Sequence, residues 1–293
     1  MNKSKLDSLL LLREKYNKLK QGKESLLLLI GEAELPEAVY NSNAIENSTL
    51  TLPDTERVLL ELEVSKEYSL REVFEAKNLA RVTEYIRNKG ASVVLNSEVI
   101  LFLHGLLIGG IDDTIAGRYR TVGEYVRVGA HIAPPPEHIV RMIEVLLYEY
   151  LSDHTSDVIQ KISKFHLQFE HIHPFCDGNG RIGRMLINHQ LQSYGYPHVI
   201  IRDKEKDTYY ETFKQYRENS SVKAMESVVY LALTEGLHKR ICYLEGNTVV
   251  TLAGYAKKHE LSLATLINKG RRQSIPAFRE KGVWKISESY VLE

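Results

Sequence analysis

Apolar residues recur at helical spacing along almost the whole chain, and only one long stretch departs from that period. Leu6, Leu9, Leu10, Tyr16 and Leu19 mark a first helix, and a second apolar helix starts at Ser25. Thr51-Leu-Pro-Asp54 opens another. Pro53 suits a first turn, where its missing N–H is no loss, and Val58, Leu59 and Leu62 form the expected buried face. The same period returns at 71–87, 98–107, 137–151, 158–171, 181–194, 208–217 and 224–235. Such a chain is mainly α, well above the usual third of residues in helices.

The exception is Thr121-Val-Gly-Glu-Tyr-Val-Arg-Val-Gly-Ala-His-Ile132, which is β-branched, aromatic and glycine-punctuated, with Pro134-Pro135-Pro136 soon after. It reads as a short hairpin between helices. A lone hairpin forms no core, so it packs on the helices or serves binding. From Thr251 the pattern changes again. Two short helices joined by a tight turn precede Gly282-Val-Trp-Lys-Ile286, a small strand, in a winged-helix-like order. Residues 247–293 hold eight basic side chains against four acidic ones. That net +4 leaves −4 for the rest of a chain that is neutral in sum, which points to two parts with different partners. The expected division is an N-terminal helical region over 1–95, a central core over 96–245 and a winged-helix-like domain over 246–293.

Composition sets the remaining bounds. With 43% apolar and 26% charged residues, the 293-residue chain belongs with globular proteins of one large or two smaller domains. No apolar run approaches the roughly 20 residues that a membrane helix needs. Arg13 and Glu14 break the leucine run near the N-terminus, so it does not read as a signal peptide. Cys176 and Cys242 have no paired spacing, and a cytoplasmic, disulfide-free protein is expected.

The densest chemistry lies in His173-Pro-Phe-Cys-Asp-Gly-Asn-Gly-Arg-Ile-Gly-Arg184. Gly178 and Gly180 flank Asn179 just before an apolar helix, so backbone N–H groups can turn inward at a helix N-terminus. That is an anion cradle. Arg181 and Arg184 follow three residues apart on the first turn, and two guanidinium forks suit several phosphates. Asp177 offers an oxygen for Mg²⁺ between phosphates. His173 is the group whose ordinary pKa lets it take a proton near neutrality. No Walker-type lysine string occurs. Gly178-Asn-Gly180-Arg-Ile-Gly183 also matches the dinucleotide fingerprint, but the His-rich helical segment before it is no strand and no βαβ alternation follows.

This string closely resembles the signature of Fic-domain proteins, His-Pro-Phe-x-Asp/Glu-Gly-Asn-Gly-Arg-x-x-Arg, at every defined position. Ala116-Gly-Arg-Tyr-Arg-Thr121, the hairpin, the prolines and the pair Tyr209 and Tyr210 extend the resemblance over roughly 35–240. It implies a Fic helical bundle with a short β-hairpin flap, and transfer of AMP from ATP to a Ser, Thr or Tyr hydroxyl of a target protein. In that reading His173 deprotonates the hydroxyl and Asp177 holds Mg²⁺ against the α- and β-phosphates. Gly178, Asn179 and Gly180 bind the α-phosphate, Arg181 its neighbours and Arg184 the γ-phosphate, with Ile182 and Gly183 in the same loop–helix segment. Phe175 anchors the loop. Val128, Gly129, Ala130 and His131 of the flap pass close to the nucleotide, an extended target segment adds to the flap as a strand, and Tyr209 and Tyr210 flank the adenosine. Arg217 stands where related members carry an adenine-binding Asn.

Upstream, Asn41-Ser42-Asn43-Ala44-Ile45-Glu46-Asn47 resembles the family's inhibitory motif, Ser/Thr-x-x-x-Glu-Gly/Asn, in its N-terminal form. Ser42 and Glu46 share a helix face, and the Glu46 carboxylate would pair with Arg184 and deny it to the γ-phosphate. Removal of AMP, with Glu46 placing a water, is the alternative activity on the same fold. A DNA-binding regulator is the alternative of another class, with the basic tail as reader. Self-association is left open. His166, His171 and His173 lack the partners of a zinc site, and Cys176 reads as filler.

Overall fold

Twelve α-helices, two 3-10 turns and five short strands make up the secondary structure among residues 3–62, 68–129 and 131–292, which the computed structural model describes. Helices α1 (Lys3–Leu19), α2 (Glu24–Ile45), α3 (Leu52–Leu59), α4 (Leu70–Lys89) and α5 (Ser97–Ile108) come first. The hairpin β1 (Arg127–Val128) and β2 (His131–Ile132) interrupts them. Then follow α6 (Ile139–Ser152), α7 (Val158–Ile172), α8 (Asn179–Ser193), α9 (Lys206–Asn219) and α10 (Lys223–Leu244). Side-chain oxygens of Thr51, Ser69, Asn96 and Asp157 accept N–H bonds at the starts of α3, α4, α5 and α7, as N-caps do.

One expectation changes. Leu62 is 58% exposed, because α3 ends at Leu59 and Glu61 turns the chain at φ 57°. Helix α2 runs on through Pro36 to Ile45, so the proline removes one N–H bond without ending the helix. That continuation carries Ser42 onto the last turns of a helix.

One core gathers Val39, Leu79 and Ile86 with Leu103, Phe169, Phe175 and Leu186. It joins α2 and α4 to α5, α7 and α8. A second core packs Leu9 and Ile45 against Leu191, Tyr209 and Leu233.

The C-terminal segment builds β3 (Val249–Thr251), α11 (Leu252–Lys258), α12 (Leu263–Arg271), β4 (Phe278–Glu280) and β5 (Val283–Ser287). Its antiparallel sheet has the order β3-β5-β4 and covers a third small core of Leu252, Tyr255, Leu266 and Ile286. Part of its positive charge faces the helical body. Arg279 pairs with Glu235 at 2.7 Å and with Glu205 at 2.5 Å, and Lys281 pairs with Glu56 at 3.0 Å. The charge asymmetry between the two parts is therefore in part the charge that docks them together.

Candidate active site

The loop between α7 and α8 is built for its task. His173 ends α7 in the left-handed region at φ 49°, a conformation that costs a non-glycine residue free energy. Arg120 holds it there. Its Nε donates to the His173 carbonyl at 2.9 Å, and Nη1 and Nη2 donate to the carbonyls of Glu124 and Pro134. One buried guanidinium thus ties the loop to the base of the flap. Phe175, fully buried, stacks on His104 at 3.7 Å between ring centroids. Asn179 closes the loop on itself, accepting from Phe175 N at 2.9 Å and donating to Phe175 O at 2.8 Å.

Two cavities meet at His173. One, of about 480 Å³, is polar and bordered by Asn47, Arg71, Cys176, Asp177, Gly178 and Arg181. The other, of about 280 Å³, is a slot bordered by Gly129, His131, Tyr210, Phe213 and Arg217. Glu46, Val128, His173 and Gly180 line both. Gly180 leaves room for Glu46, because a Cβ there would lie 2.2 Å from Glu46 Oε1 and displace it. A carboxylate oxygen thus rests on the N-terminal turn of α8, where an anion's oxygen belongs.

Glu46 also reaches Arg184. The pair is 2.8 Å apart, and Arg184 further donates to Ser42 Oγ at 2.9 Å and to the Ser42 carbonyl at 2.7 Å. Arg184 is 3% exposed. Burial alone would disfavour its charge, but Glu46 outweighs this and holds its pKa above the ordinary value. Asp177 is bound on both oxygens, by Arg181 at 3.0 Å and Arg71 at 2.5 Å. Glu75 bridges the same two arginines. Burial, set against a hydrogen bond from the ring to the Glu170 backbone carbonyl, pushes His173 down to about 4 and leaves it neutral near pH 7. Glu170 moves the opposite way. Burial and then the nearby Glu46 charge push it up to about 8.

Several expected contacts fall elsewhere. Ile182 is fully buried in the first core, and its N–H donates to the Gly178 carbonyl. Gly183 lies in the α7–α8 contact, where a Cβ would meet Glu170 and His166. Tyr209 is 1% exposed and bonded to His166 at 2.8 Å, and it lines the floor of the slot under Arg184. Tyr210 does present its ring to the slot, while its hydroxyl donates to the Ile45 carbonyl at 2.8 Å. Ala130 lies outside the described residues. Burial raises the Cys176 thiol, consistent with filler. His166 is bound to Tyr209, and no group of three potential metal ligands occurs among the described residues. Arg71, Glu75, Glu170 and His104 were not singled out from the sequence, and no local motif marks them.

A helical bundle whose α7–α8 loop carries this string, faced by a hairpin and an aromatic slot, defines a class. Residues 94–191 match the Fic/DOC family, and the chain carries a Fic domain. The protein adenylyltransferase Fic of Drosophila melanogaster is 30% identical over 217 residues, covering 72% of this chain and 42% of that protein. Its counterpart from Drosophila virilis is 33% identical over 182 residues, covering 60% and 36%. The chain thus spans well under half the length of these relatives. Among solved structures, a Fic-domain signaling protein from Bacteroides thetaiotaomicron superposes with a TM-score of 0.71 at 24% identity, over 82% of this chain and 97% of that one. A Fic family protein from Desulfovibrio desulfuricans gives 0.69 at 20% identity over 100% and 98%.

Proposed function

We propose that this protein transfers AMP from ATP to a hydroxyl side chain of a target protein, and that Glu46 restrains the activity. The observation that carries this reading is the junction at His173, where a nucleoside-sized aromatic slot opens into a polar cavity beneath the flap. Relatives named protein adenylyltransferase support the reaction class.

The residues divide the work. Tyr210 and Phe213 offer faces for the base, while the N–H groups of Asn179 and Gly180 point to the α-phosphate. With Nδ1 turned toward Glu170, His173 Nε2 is the nitrogen left to take the target proton. The hydroxyl oxygen then bonds the α-phosphorus as the α–β bridging bond breaks and its electron pair leaves on pyrophosphate. A target strand laid along the exposed Val128 and Ile132 would bring its hydroxyl over His173. Asp177 fits a Mg²⁺ held largely by phosphates, since it is one carboxylate, a third exposed, on an open polar cavity. That ion would neutralise the charge developing on the leaving pyrophosphate. Arg184 would take the terminal phosphate once Glu46 leaves it.

Labelled ATP incubated with a cell lysate and either the wild type or Glu46→Gly tests the proposal. Label on protein, stronger with the variant and absent with His173→Ala, is the expected result. No protein label with Glu46→Gly refutes it. A pre-modified target that loses label to the wild type would favour AMP removal instead.

A further inference from the structure

The C-terminal module touches the helix that carries Glu46, and it does so at a buried charge. Glu37 on α2 is 4% exposed. Its Oε2 accepts the N–H of Lys281 and its Oε1 the N–H of Gly282, each at 3.1 Å. These are the two residues of the β4–β5 turn. Arg202 pairs with the same carboxylate and passes its other nitrogen to Glu235, which also receives Arg279. One network of buried charges therefore links the module to α2.

Pro36 lies immediately before Glu37. Its missing N–H makes that point the natural pivot of the helix. Beyond it, Val39 and Ile45 pack into the two cores, and polar contacts fix the orientation of the last turns. Asn41 accepts from Asp203 N at 3.0 Å, the Ile45 carbonyl accepts from Tyr210, and Ser42 and Glu46 hold Arg184. Hydrogen bonds of this kind fix direction, so losing the one nearest the pivot loosens the orientation of the turns after it. Glu46 is nine residues further on, about 13 Å along the axis.

We propose that the β4–β5 turn positions Glu46 through Glu37, so that docking of the C-terminal module sets how firmly Arg184 is blocked. Glu37 is a positioning residue, remote from the nucleotide site. The inference rests on the reading of Glu46 as inhibitory. Arg279 and Lys281, the charges that dock the module, pair with Glu235 on α10 and Glu56 on α3 and so hold the turn against Glu37.

The test is a cycle in the full chain, read as AMP incorporated into the protein itself. Glu37→Gln weakens the clamp directly. Gly282→Ala strains the turn, where φ is +78° and a Cβ would meet nothing within 4 Å, without touching α2. Each should raise labelling about two- to thirty-fold in the wild-type background, the usual range for coupling between linked sites. In a Glu46→Gly background neither should add anything, which a merely structural effect would not reproduce. Melting temperatures verify folding, and if Glu37→Gln does not fold, Gly282→Ala decides. Unchanged labelling in the folded variants, or an equal rise in both backgrounds, overturns the inference while leaving the role of Glu46 intact. Failure of Glu46→Gly itself to raise labelling removes that role, and this inference with it.

Discussion

Replacing Glu46 with glycine should activate the protein, the reverse of what deleting a site carboxylate usually does. The structure gives the scale. Arg184 is almost fully buried and makes three contacts, one to the Glu46 carboxylate and two to Ser42. Glu46 is 36% exposed, so its pair with Arg184 is partly screened by solvent. A charge-assisted bond of this kind contributes about 1–2 kcal/mol after that discount. Freeing Arg184 for a phosphate should then raise productive ATP binding about five- to thirty-fold. The same change clears the oxygen that lies over Gly180, opening the helix N-terminus to the α-phosphate. Self-labelling with ATP, followed over time at sub-saturating nucleotide, reads the effect without knowledge of the target. Arg184→Ala combined with Glu46→Gly should lose the gain, because the released partner is gone. Equal labelling by the wild type and Glu46→Gly, both folded, would refute the competition argument.

Three further outcomes follow from the same geometry. His173→Ala in the Glu46→Gly background should lower transfer by about 10²- to 10⁴-fold while nucleotide affinity, measured by calorimetry, stays within a few-fold. Asp177→Ala should abolish Mg²⁺-dependent transfer, since the signature loop holds no other carboxylate; an unchanged metal titration would count against its role. Glu170 has a folded-state pKa raised to about 8, so the native state keeps a proton that the unfolded chain loses above its ordinary value of 4.5. Its contribution to stability is full below that value and fades as pH rises toward 8, so Glu170→Gln should flatten the loss of melting temperature between pH 5 and 8.

The sequence by itself determined what depends on near neighbours. Helical spacing located the helices of the bundle, because each buries a stripe whose period is local. The signature loop was legible because its glycines, Asp177 and its two arginines lie within eight consecutive residues. Ser42 and Glu46 could be placed on one face for the same reason. What only the tertiary structure decided are the pairings between distant segments. Arg71 meets Asp177 across 106 residues, Arg120 meets the His173 carbonyl across 53, and Glu37 meets Gly282 across 245. Each of these residues looks in sequence like an ordinary charge on a helix or a turn. The tertiary structure also places Ile182 and Gly183 in the packing behind the cavities, while Tyr209 lines the slot almost fully buried. A helix start presents only part of its circumference to a ligand, and the rest must bury against α7 and α9 for the loop to hold its shape. Local chemistry named the groups that would act on the nucleotide, and packing decided which of them reach it and which hold the others in place.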